Sequence, residues 1–320
     1  MDIKKTVSWA GTLLMVASLV FLGRTLYTQY VNADFSLVEL LSTRRVVFGL
    51  IGVMLLECFG ILLASVNYRA LINNVSGVKV AWPLSLSVYT ATNLYKYIPG
   101  GVMYVVGRNR LAVETEELTH PQVALSTVLE GVFIAFAALL LVAITVFDHA
   151  AEYIRQEANV PIVAIVVIIS VLLIGGVAVY IFRKIISEKL KQLLENIRAL
   201  SFSMIVKRFA FGLILMAFWG GTFLATLIAL GQPVTFSHGV SIIGLFLLSW
   251  VAGFLTPGAP SGIGIREFVM LMFLGGILYE DILLSAMIMH RIVAASGDIL
   301  AYCVAAGFQW VSKRRQTTVA

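Results

Sequence analysis

Six long apolar runs, near positions 7–27, 46–67, 121–147, 160–182, 208–230 and 286–311, limit what this chain can fold into more than any other feature. Crossing the bilayer's hydrocarbon takes about 20 predominantly apolar helical residues, and each run reaches that length. The rest of the chain agrees: 60% of its 320 residues are hydrophobic and 12% are charged, with a mean hydropathy of +0.95. A water-soluble globule could not hide so much apolar surface. The expectation is an all-α integral membrane protein, one polytopic domain over residues 1–320 with six transmembrane helices.

The formal charge of +6 would suggest nucleic acid in a soluble protein, but here the basic residues gather in particular loops and act as topology signals, so no nucleic acid partner is expected. Lys4 and Lys5 precede the first run, "RKIISEKLKQLLENIR" follows the fourth and "SKRR" the sixth, which puts all three in the cytoplasm. The net acidic "DHAAEYIRQEAN" and the "YED" at 279–281 then fall outside, and only Arg44 and Arg45 at the outer mouth of the second run dissent. Both termini are therefore expected in the cytoplasm. The stretch 183–204 has apolar residues at helical intervals between Lys and Arg, as an amphipathic linker on anionic headgroups would. The first run resembles a secretory signal with "VNA" before Asp34, but that site follows Arg24 and trails the apolar run, so an uncleaved first helix is expected. Cys58 and Cys303 lie inside apolar runs, far apart, and give no disulfide framework.

Two stretches, about 80–110 and about 238–278, are too long for loops and too interrupted for simple spans. "IPGG" and "TPGAPSGIG" break the helix in them, because proline removes a backbone donor and glycine accepts any φ. A broken backbone at membrane depth is tolerated only where protein or a water-filled cavity satisfies its polar groups. Pro99 and Pro257, Gly100 and Gly258, and Arg108 and Arg266 are each 158 positions apart. With the topology above, the first break is entered from the cytoplasm and the second from outside. Residues 46–147 and 208–311 are then two inverted repeats, each with a re-entrant broken-helix hairpin, the pattern of alternating-access transporters with a midplane site.

An ionisable side chain at membrane depth costs at least about 2.5 kcal/mol on insertion scales, so each invites a functional reading. The candidates are Glu57, Lys96, Arg108, Arg110, Glu130, Arg266, Glu267, His290, Arg291 and Asp298. Arg108 and Arg266 stand out because both follow a Pro-Gly break at the same interval. With the free N–H groups of the half-helix behind each break they would form an anion trap suited to phosphate. Arg110 and Lys96 could instead snorkel to headgroups, and His290 and Arg291 could lie at the interface. Glu130 and Glu267 read as partners of the arginines. Tyr95, Tyr97 and Tyr104 could face a ligand. No ATP-binding loop, metal-ligand spacing or hydrolase constellation is present, so no cofactor, metal or catalytic residue is expected.

Through "KYIPGGVMYVVGRNRLA" and "LTPGAPSGIGIREFVML" the chain resembles the lysylphosphatidylglycerol synthase transmembrane, or flippase-like, family. The matching residues are Pro99, Gly100, Gly101, Gly107 and Arg108, then Pro257, Gly258, Gly262, Gly264, Arg266 and Glu267, with Arg291 as the last-span arginine. Glu130 looks like the acidic member of the family's "ER" pair, although Gly131 stands where arginine is expected. Ala259, Pro260 and Ser261 lengthen the second break. The resemblance implies the membrane part only, without the acyltransferase domain that bifunctional members carry, and hence the part that moves lipid across the bilayer.

The expected function is therefore a flippase or transporter in the cytoplasmic membrane for an anionic lipid headgroup: an aminoacyl or other phospholipid, or a polyprenyl-phosphate-linked sugar. The expected substrate-binding residues are Pro99, Gly100, Gly101, Arg108, Pro257, Gly258, Gly262, Gly264, Arg266, Glu267 and Arg291, with Glu57, Glu130 and Asp298 as candidates for gating or proton coupling. Membrane lipids are the expected partners, with a separate lipid-modifying enzyme as a further candidate. Two alternatives stay open: an integral-membrane transferase acting on lipid-linked sugars, and a non-catalytic partner subunit of a lipid-modifying synthase.

Overall fold

The computed structural model describes residues 41–97, 103–114, 117–156, 201–255, 262, 264–275 and 278–319, with single positions at 20, 24 and 27. Nearly all of the run expected as a span at 7–27, the whole of that at 160–182, nearly all of the linker 183–204, and Pro99, Gly100, Gly101, Pro257 and Gly258 lie outside the described residues. So do Ala259, Pro260 and Ser261.

The described residues are helical almost throughout, with no strand among them. Helix α1 spans Arg44–Ser76, α2 Trp82–Asn93, α3 Met103–Arg108, α4 Arg110–Glu114 and α5 His120–Gln156. Helix α6 spans Phe202–Ala229, α7 Phe236–Leu255, α8 Ile265–Leu274 and α9 Glu280–Val319. Five stretches are long and apolar enough to cross a membrane: Arg44–Ser76, His120–Val146, Phe202–Ala229, Phe236–Phe254 and Ile282–Ser312. Four of them coincide with expected spans. Large apolar side chains such as Phe48, Phe136, Ile144 and Ile214 stand exposed on their outer faces, as lipid-facing residues do. The chain is a multi-pass membrane protein.

Helix boundaries follow local chemistry. Helix α1 stops at Gly77, whose left-handed φ of 74° lets its N–H reach the Asn73 carbonyl. The Asn73 side chain then accepts from the Val80 N–H at 3.0 Å and turns the chain into α2, which has a proline in its first turn. Helix α5 continues to Gln156, so most of the expected outer loop is helical, because nothing between Asp148 and Gln156 is proline or glycine. The two arms that lead into the breaks are unequal. Helix α7 has 20 residues, whereas α2 has 12 and tightens into a 3₁₀ turn over Leu94–Tyr97. Helix α2 is rich in Ser and Thr, and Thr90 and Thr92 donate back to the Leu86 and Val88 carbonyls. Helix α7 is predominantly apolar.

Helix α1 packs between α6 and α9, α5 against α6 and α7, and α2 against α9 and α1. Lipid tails are as apolar as leucine, so tight packing rather than hydrophobic expulsion holds membrane helices together, and small residues permit it. A Cβ on Gly297 of α9 would lie 2.6 Å from the Glu57 Cβ and 3.0 Å from the Met54 carbonyl of α1. One on Gly49 would lie 2.7 Å from the Ala229 Cβ of α6. These contacts hold α9 and α6 close against α1.

Candidate functional site

The two arginines that share a spacing from their breaks sit in different surroundings. Arg108 ends α3 and is 3% exposed, and it forms an ion pair with Glu130 of α5, itself 4% exposed. Its guanidinium lies 4.4 Å from the Tyr68 ring centroid, 4.3 Å from Tyr89 and 5.3 Å from Tyr104. The Tyr89 hydroxyl donates to the other Glu130 oxygen at 3.0 Å, and the Tyr68 hydroxyl meets the Thr127 hydroxyl at 3.2 Å. Three aromatic faces and a carboxylate thus enclose this cation and neutralise it.

Arg266 lies in the first turn of α8, half-buried. Its stem packs on the backbone of Gly253 and Gly262, whose hydrogens leave the space a Cβ would fill. Its guanidinium stands 5.0 Å from the Phe246 ring. Among the described residues it makes no ion pair and no hydrogen bond. Glu267, its neighbour in sequence, pairs instead with Arg291 of α9 and accepts from the Gly264 N–H at 2.7 Å. Gly264 has a φ of 86°, which only glycine adopts without strain, and its N–H caps the helix on the Glu267 carboxylate.

The remaining charges are engaged across long sequence separations. Asp298, 1% exposed, accepts from Tyr97 at 2.6 Å and Asn93 at 2.8 Å and pairs with Lys96 at 2.7 Å. Lys96 therefore turns inward rather than snorkelling. Glu57, 5% exposed, accepts from the Thr222 hydroxyl at 2.5 Å and lies 3.9 Å from Nε2 of His290. The His290 Nδ1 meets the Thr226 hydroxyl at 3.0 Å, and its ring stands edge-on to Phe223 and Phe246. The His290 ring is thus buried among the helices. Arg110 pairs one helical turn away with Glu114. No group of three metal-ligating side chains occurs among the described residues.

Two cavities open inside this cluster. The smaller, about 70 Å³, is lined by Arg266, Glu267, His290, Arg291, Lys96 and Tyr97, together with apolar residues. The larger, about 200 Å³, is lined by Arg108, Glu130, Tyr104, Trp219, Trp250 and Phe254, and again by Arg266 and Lys96. Arg266 and Lys96 line both cavities. Asn93, Thr222, Trp219 and Trp250 were absent from the sequence reading: neutral polar and aromatic residues inside apolar helices carry no signal of which neighbour they meet. No family model, curated protein or solved structure matches the chain.

Proposed function

We propose that this protein is a lipid transporter of the cytoplasmic membrane, with both termini in the cytoplasm, in which an anionic headgroup passes Arg266 between two inverted repeats. One observation carries the reading. Arg266 is a half-buried cation without a carboxylate partner among the described residues, and it lines both cavities. A guanidinium in that position is short of an anion, and phosphate matches its planar fork with two parallel hydrogen bonds. Arg291 and Lys96 on the same small cavity add positive charge while remaining tied to Glu267 and Asp298. The matched Pro-Gly breaks supply the discontinuous helices that such a site uses, and the acyl chains would stay in lipid.

A transferase would need a carboxylate free to act as a base near the substrate. Glu130, Glu267 and Asp298 are each committed to a cation, which weighs against it. The test is movement of headgroup-labelled phospholipids across liposomes holding the purified protein. Wild type is expected to move an anionic lipid that protein-free liposomes retain, and Arg266→Ala to abolish that movement. Equal rates in all three would refute the proposal.

A further inference from the structure

We infer that Glu57 and His290 together hold one exchangeable proton, taken up with the anion bound at Arg266, so that the protein is a proton–anion symporter. This rests on the reading of Arg266 as the anion site and names what travels with the anion.

Glu57 differs from the other acidic groups of the interior. Glu130, Glu267 and Asp298 each pair with an arginine or lysine, whereas Glu57 has no such partner among the described residues. Its titratable neighbour is His290, with Nε2 3.9 Å from Oε1. The His290 ring lines the cavity of about 70 Å³ together with Arg266, and Glu57 lines neither cavity. A proton arriving through that cavity therefore meets the imidazole first.

The hydrogen bonds around the pair suit both its loaded and its unloaded state. The Thr222 hydroxyl lies 2.5 Å from Oε1 of Glu57 and 2.7 Å from the Trp219 carbonyl. A hydroxyl has one hydrogen to give and lone pairs to receive with. Thr222 donates to an ionised Glu57; when Glu57 is protonated, Thr222 accepts from the acid and donates to the Trp219 carbonyl. Thr226 is placed in the same way, 3.0 Å from Nδ1 of His290 and 2.9 Å from the Thr222 carbonyl, and serves Nδ1 as donor or as acceptor. The proton can be gained or lost with the heavy atoms in place.

Charge links this proton to the anion. From α8 the surroundings of the pair receive Arg266 and Glu267, from the turn after α2 Lys96 and Tyr97, from α9 Arg291 and Asp298, and from α1 Cys58. Helix α6 adds the two threonine hydroxyls and the Phe223 ring, and α7 the Phe246 ring. Helix α5, which also packs on α1, brings Glu130, closed on Arg108. Lys96 with Asp298 and Arg291 with Glu267 are likewise closed pairs. That leaves Arg266 and Glu57, one charge of each sign, with no ion-pair contact between them among the described residues. An anion arriving at Arg266 leaves the Glu57 charge unbalanced inside the membrane, which is costly, and a proton on the pair cancels it. By linkage the proton equally favours the anion. The transmembrane proton gradient then drives the anion in the direction in which protons run.

The experiment is calorimetric titration of the full chain in detergent micelles with dimethyl phosphate, in buffers of different ionisation enthalpy at several pH values around neutrality. Dimethyl phosphate carries the single charge of a lipid phosphodiester and does not itself titrate there, so the difference in heat counts protons taken up by the protein. Wild type is expected to take up at most about one proton per anion, and to bind more tightly as pH falls, by up to about tenfold per unit. Glu57→Gln, whose amide still meets Thr222, should bind the anion without proton uptake and with affinity independent of pH. Wild-type binding without proton uptake at every pH overturns the inference while leaving the anion site standing, and so does full uptake in Glu57→Gln. If dimethyl phosphate fails to bind, or binds Arg266→Ala as well as wild type, the anion site itself falls, and this inference with it.

Discussion

Removing the Glu130 carboxylate should be among the most damaging single substitutions available in this protein. Glu130→Ala leaves the Arg108 guanidinium, 3% exposed, without its counter-ion. Breaking a buried ion pair from one side costs about 3–5 kcal/mol. The Tyr68, Tyr89 and Tyr104 faces remain, but each cation–π contact contributes about 0.5–2 kcal/mol in wild type and variant alike, so they do not offset the loss. The Tyr89 hydroxyl also loses its acceptor, a further cost of about 1–3 kcal/mol. These contributions are coupled and do not simply add, so the expectation is a loss of at least about 3 kcal/mol, more than a hundredfold in the folded-to-unfolded ratio. Unfolding in mixed micelles with increasing denaturing detergent measures it. The double variant Arg108→Met with Glu130→Leu removes both charges and should recover to within about 2 kcal/mol of wild type. Glu130→Ala within about 1 kcal/mol of wild type, or a double variant no better than the single, would refute the argument.

Other expectations follow from the same contacts. Gly297→Ala would set a Cβ 2.6 Å from the Glu57 Cβ and force α9 from α1, which should lower the unfolding midpoint by the equivalent of about 1–3 kcal/mol in the same titration. Asp298→Ala strands Lys96, Tyr97 and Asn93 at once and should cost more than Asp298→Asn, which still accepts hydrogen bonds; the two variants compared by thermal unfolding give the order. Arg266→Ala, by contrast, orphans no partner among the described residues, so its unfolding should lie within about 1 kcal/mol of wild type.

Apolar length is the part of this architecture most legible in the sequence, because a helix in lipid must satisfy its backbone internally and so declares itself as one run. The runs at 46–67, 121–147 and 286–311 lie within longer helices of the structure, and the run at 208–230 coincides with the helix Phe202–Ala229 to within one residue at its end. The pairing of Arg108 with Glu130 was legible too, since a buried arginine needs a carboxylate and Glu130 is the one acidic residue within the apolar run 121–147. What the shared spacing concealed was the inequality of the two arginines. The position 158 residues after Glu130 holds Ile288, so the second arginine has no matching acid, and Glu267 turns instead to Arg291. The network of Asp298 with Asn93, Lys96 and Tyr97 joins residues about 200 positions apart, beyond any local periodicity. The helical extension of α5 to Gln156 was missed because charged residues marked the end of the apolar run, and polarity ends a span without ending a helix.

The most direct measurement compares transport of a labelled anionic phospholipid in liposomes by wild type, Arg266→Ala, Arg266→Lys and Arg110→Ala, at matched amounts of folded protein. Arg110 pairs with Glu114 away from both cavities, so its variant controls for loss of a positive charge as such. The account predicts transport by wild type and Arg110→Ala, none by Arg266→Ala, and a reduced rate for Arg266→Lys, whose point charge cannot reproduce the two-pronged grip. Wild-type transport by Arg266→Ala would contradict it.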